Sequence, residues 1–142
     1  MSSSDRFKPI QKIASHKERK AAAELAESLR RRDAERQRLD QLKQYLAEYL
    51  ESYASAAGHG LSGRRILEYQ GFISKLQVAI AEQEQLVSRS QQDCDSSKAQ
   101  WRGRYTRSKA MSNAVDRMQT EERRQQDRRE QSETDDRSPR RR

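Results

Sequence analysis

Gly58-His59-Gly60-Leu61-Ser62-Gly63 holds three of the five glycines of this 142-residue chain. Long, charge-rich stretches run out from it on both sides, with an apolar residue every three or four positions. Glycine enters the left-handed conformation without a Cβ clash, so it ends a helix. Ser62 can cap a following helix, because its hydroxyl accepts an orphan backbone N–H. The segment reads as one turn between two helices, and the chain as all-α: a long antiparallel two-helix coiled-coil hairpin with its turn at 58–63.

Outward from the turn, the first arm runs back from about Ala57 to about Pro9. Pro is tolerated near a helix start, where its missing N–H costs nothing. Leu39, Leu42, Leu46, Tyr49, Tyr53 and Ala56 alternate at 3,4 spacing. Ala22, Leu25, Leu29, Arg32 and Arg36 carry the seam on weakly to Ala14, Ile10 and Phe7. The step from Arg36 to Leu39 to Leu42 reads as a stammer, a local overwinding. At ~1.5 Å per residue this arm spans roughly 70 Å. The second arm's seam holds one phase: Ile66, Tyr69, Ile73, Leu76, Ile80, Gln83, Val87, Ser90, Cys94, Ser97, Trp101, Arg104, Ser108, Met111, Val115 and Met118. A heptad sustained this long is a coiled-coil signal. Folding at the glycines pairs positions whose numbers sum to about 119, such as Leu46 with Ile73 and Leu25 with Cys94. The first arm is then used up near Met118. Residues 1–118 form the expected hairpin, and 119–142 a charged tail, a frayed helix leading to a disordered end.

Composition fits a narrow seam better than a globular core. Apolar residues make up 32% of the chain and charged residues 37%, with a mean hydropathy of −1.30; a compact domain carries ~45–50% apolar residues. The net charge is +8. Residues 1–60 hold 12 basic and 9 acidic groups, 61–118 hold 10 and 6, and 119–142 hold 8 and 7. On this count the excess is spread out, which gives little support to nucleic-acid binding. One cysteine, Cys94, excludes an intramolecular disulfide. Met1-Ser-Ser-Ser-Asp5 starts no apolar signal region, and no apolar run approaches the ~20 residues that span a bilayer. The expectation is a cytosolic protein that sits at a membrane only through partners.

Catalytic chemistry finds no constellation. His16 and His59 lie far apart along the hairpin, no His/Cys cluster has metal spacing, and no Gly-rich loop follows a strand. Cys94 falls on the seam and reads as a small buried hydrophobe. Trp101, also on the seam, reads as a core knob or as a partner anchor. Two basic clusters meet across the hairpin: Lys12, Lys17, Arg19 and Lys20 with Arg102, Arg104, Arg107 and Lys109. They are a solvated face or a collar for an acidic partner. Nucleic acid ranks third, since a basic-region zipper places its cations directly before Leu heptads. Beside the turn, Phe72, Leu76 and Ala79 recur at 4,3 spacing with Gln83 beyond. Only Leu76 of the apolar three belongs to the seam; Phe72 and Ala79 point about 100° from Ile73 and Ile80. The stripe reads as a docking patch or as a broader core face.

Gly60-Leu61-Ser62, Arg65, Tyr69-Gln70, Phe72-Ile73, Leu76 and Ala79-Ile80 together resemble the signature of the FliJ family, small components of the flagellar type III export apparatus. The resemblance extends over the chain, including Trp101-Arg102 and Glu130-Gln131 with Asp135-Asp136; where the family follows the EQ pair with lysine, this chain has Ser132. It implies a coiled coil similar to the central γ stalk of rotary ATPases. It further implies a stalk or coupling factor between the hexameric export ATPase FliI and the cytoplasmic region of the export gate FlhA, with escort of export chaperones. The implied location is cytoplasmic, peripheral at the inner membrane at the flagellar base, in support of flagellum assembly and motility. From the residues, no enzymatic activity, no cofactor and no metal is expected. Phe72, Leu76, Ala79 and position 83 match the family's FlhA-binding stripe, with a polar Gln at 83. Lys17, Arg19, Lys20, Arg102, Arg104 and Arg107 are the expected ATPase-ring collar. A general helix-binding escort and a basic nucleic-acid-binding hairpin stand as alternatives.

Overall fold

The computed structural model describes residues 2–137. Two helices, α1 (Ser3–Gly58) and α2 (Gly63–Arg137), pack against each other, and no strand occurs among the described residues. The all-α helical hairpin is thus the observed fold.

The turn is built as its residues dictate. The N–H groups of His59 and Gly60 donate to the carbonyls of Ala56 and Ala57 at 3.1 and 3.2 Å, tightening the last turn of α1. Gly60 then takes φ 84°, the left-handed region where a Cβ would clash. His59 Nδ1 lies 2.9 Å from the Ser55 carbonyl, covering one more open acceptor at the helix end. Ser62 caps α2: its Oγ accepts from the Arg65 N–H at 3.3 Å, while its carbonyl accepts from the Ile66 N–H at 3.1 Å.

The start of α1 differs from expectation. The helix begins at Ser3 and carries Pro9 inside it. Ser2 Oγ accepts from the Asp5 N–H at 3.3 Å and supplies the cap. Pro9 has no N–H for the Asp5 carbonyl four residues back, but both residues are exposed, so water can satisfy that acceptor.

Chain contacts divide the molecule into two compact units. The turn unit, Glu24–Lys98, contains both helices on either side of the turn. Its aromatic cluster joins Tyr45, Tyr49 and Tyr53 of α1 to Tyr69 and Phe72 of α2. Ring centroids lie 4.5 Å apart for Tyr49–Phe72, 5.1 Å for Tyr53–Tyr69 and 5.2 Å for Tyr49–Tyr69. Further along, Leu76, Gln83 and Cys94 are buried, the last at 3% exposure, in line with a small buried hydrophobe. Ser28 and Ser97 hydrogen-bond at 3.0 Å. The stammer is absent. Leu25, Ser28, Arg32, Glu35, Leu39, Leu42, Leu46, Tyr49 and Tyr53 are all half-buried and alternate 3,4 without a break. Glu35, not Arg36, occupies the seam. Arg36 is exposed and reaches Gln91 at 2.9 Å.

The terminal unit joins 2–23 to 99–137 among the described residues. Ala14, Ala21 and Val115 are its buried apolar residues. Gln11 Nε2 donates to Ser112 Oγ at 3.2 Å. Ser4 donates its N–H to Glu122 Oε1 at 2.9 Å and its hydroxyl to Glu122 Oε2 at 2.6 Å. Partnered chain therefore reaches Glu122, past the expected limit at Met118. Cross-helix pairs bracket the expected sum of about 119, and several run above it: Glu35 with Gln83 gives 118, Glu18 with Trp101 119, Tyr53 with Tyr69 122, Gln11 with Ser112 123 and Ser4 with Glu122 126. With α1 ending at Gly58 and α2 starting at Gly63, the turn centres near Leu61. Beyond Met118, α2 stays helical through Arg137; the part of the expected disordered end at 138–142 lies outside the described residues.

Candidate interaction surfaces

The collar lies wholly in the terminal unit. Lys12, Lys17, Arg19, Lys20, Arg102, Arg104, Arg107 and Lys109 are all exposed, Arg104 included, although the heptad phase had assigned it to the seam. Arg19 donates to Ser15 Oγ at 3.0 Å. The salt bridges among the described residues leave all eight without an acidic partner. Lys12 and Arg19, seven residues apart, share one face of α1; Lys17 lies about 140° and Lys20 about 80° round from Lys12. The cations thus occupy several faces. The antiparallel fold also collects the charge that sequence thirds made look dispersed. Among the described residues, 2–23 and 99–137 hold 16 basic and 10 acidic groups, a net +6, while 24–98 hold 11 and 12, a net −1.

Trp101 joins this unit half-buried. Its Nε1–H donates to Glu18 Oε1 at 3.0 Å, and its ring stacks on Tyr105 with centroids 5.4 Å apart. That bond occupies Glu18, which is the one carboxylate between Lys8 and Lys20. At the helix ends, the hydrogen bond from the Ser4 hydroxyl, followed by that from its backbone N–H, holds the Glu122 carboxyl below its ordinary range. The Ser2 hydroxyl does the same for Asp5. In the turn unit, the hydrogen bond from Arg30 lowers Glu27.

The Phe72–Leu76–Ala79–Gln83 stripe looks into the hairpin rather than away from it. Leu76 is 7% exposed and Gln83 4%. Phe72 is half-buried and lies edge-on to Tyr45 at 5.9 Å as well as against Tyr49. Ala79 is half-buried, as are Ile73 and Ile80. Tyr45 and Tyr49 of α1 stand opposite Phe72, and their breadth widens the seam there enough to take Phe72 beside Ile73. Gln83 is satisfied inside. Its Nε2–H donates to the Glu35 carbonyl at 2.9 Å and to the Glu35 carboxylate. The sequence reading missed Glu35, although the 3,4 phase between Arg32 and Leu39 marks it. It also passed over the outer face of α2, where Leu67 is 70% exposed and Val78 58%.

No described helix is long and apolar enough to cross a membrane. No group of three or more His, Cys, Asp or Glu is placed to hold a metal among the described residues. These features define a two-helix hairpin that presents a cationic terminal unit and a near-neutral, aromatic-rich turn unit. The family described as Flagellar FliJ protein matches residues 3–141, and the chain belongs to that family, a component of flagellar protein export. Neither a curated protein nor a solved structure matches it.

Proposed function

We propose that this chain is a stalk and coupling factor that joins the hexameric export ATPase FliI to the cytoplasmic region of FlhA, and reaches the inner membrane through that contact. The observation that carries the reading is the collar, with cations on several faces of the terminal unit and no acid paired to them among the described residues. A flat acidic surface would use one face; a ring that encloses the hairpin uses all of them. Acidic groups lining such a ring would steer and hold the collar. The FlhA contact falls to the rims of Phe72 and Ala79, with half-exposed Tyr45 beside them, while Leu76 and Gln83 support the patch from within. Escort of export chaperones belongs to the same reading and rests on family membership. Nucleic acid has no place in it.

The test is binding of purified FliI and of the FlhA cytoplasmic region to the intact chain and to a variant with Lys17, Arg19, Arg104 and Arg107 changed to Glu. The variant should lose FliI and keep FlhA. Retention of FliI by a folded variant would make the collar a solvated face.

A further inference from the structure

Leu67, Gly71, Ser74 and Val78 recur at 4,3,4 spacing, so they form one stripe along α2. It lies on the side away from the seam, and all four residues are exposed, Leu67 at 70% and Val78 at 58%. Gly71 sits at its centre. Glycine inside a helix is unfavourable, and here the hairpin does not need it: φ is not positive, and a Cβ would meet nothing within 4 Å. Two large apolar side chains therefore bracket a notch that the chain itself does not fill.

The charged residues bordering this stripe identify what fills it. Arg64, Glu68, Lys75 and Glu82 are exposed and lie along one flank at 4,7,7 spacing. The other flank offers Gly63, Gln70, Gln77 and Ala81, which carry no charge. Two helices crossing antiparallel about a two-fold axis bring like flanks together. With the axis between Gly71 and Ser74, Leu67 packs on Val78 of the other helix and Gly71 receives Ser74. The same axis sets Arg64 against Glu82 and Glu68 against Lys75, opposite charges in both couples and in both copies. The geometry points to a second copy of this chain as the occupant, docked antiparallel on the outer face of α2. The turn unit's net charge of −1 offers no repulsion to such a pair.

The stripe is about 16 Å long, and a contact of that size buries well under the ~1,200 Å² of a stable interface. The dimer is therefore weak, with Kd of order 100 μM to 1 mM. Sedimentation equilibrium of the full chain from about 10 μM to about 1 mM should show a monomer passing to a dimer. Gly71→Gln should remain monomeric throughout while its circular dichroism and melting match or exceed those of the parent. Arg64→Glu and Glu82→Arg should each raise Kd roughly fivefold, and the double variant should restore it. A parent chain that stays monomeric to 1 mM, including one that binds only foreign helices through this face, overturns the proposal. So does a Gly71→Gln chain that dimerises like the parent.

Discussion

Phe72 is the residue whose surroundings change most between sequence and structure. Off the seam by spacing, it packs on two tyrosines, so Phe72→Ala removes a half-buried ring rather than an exposed one. The expected loss is about 2 kcal/mol of stability, read as a lower thermal midpoint. Phe72→Leu keeps most of the apolar volume and should melt within a few degrees of the parent. Motility lost in Phe72→Leu as well as in Phe72→Ala would point to a contact made by the ring itself; loss in the alanine variant alone would be explained by stability. Glu122 gives the pH test. Its folded pKa lies below the ordinary 4.5 because Ser4 donates to the ionised form. Its contribution is therefore present above that ordinary value and lost as pH falls through the folded one. Melting points should drop on acidification below about 4.5, with Asp5 and Glu27 acting in the same direction. Glu122→Gln should flatten part of that drop.

At the scale of elements, α2 outlasts its partner. After Glu122 every described residue to Asp136 is exposed, and the bonds present there, such as Gln126 to Glu130, run within the helix itself. Deleting 125–142 should leave the thermal midpoint nearly unchanged. Deleting 119–142 also removes Glu122 and its two bonds to Ser4, and should lower the midpoint measurably. Equal melting of the two truncations would mean that the Ser4–Glu122 contact contributes nothing. The 3,4 alternation made the two helices and their seam legible. The helix ends were less so, because Ser2 and Ser62 carry the same capping chemistry while only Ser62 has a glycine turn before it to draw the eye.

For the whole molecule, the placement of charge is the property to test. A terminal unit at +6 over its described residues and a turn unit at −1 predict that charge reversal in the collar weakens FliI association strongly at low salt and much less at high salt. The equivalent reversal of Arg64 or Lys75 in the turn unit should leave FliI binding unchanged. Pulldown at two ionic strengths reads both. Periodicity and the glycine cluster determined by themselves that this chain makes two helices and one turn, because helix spacing and left-handed backbone are local physics. Family membership was legible in the residues around the turn. Only the tertiary structure decided which charges share a unit, that Glu35 rather than Arg36 enters the seam, and that Phe72 faces tyrosines. Those outcomes depend on where the two helices meet, and that register is set by the sum of side-chain contacts between residues far apart in the chain.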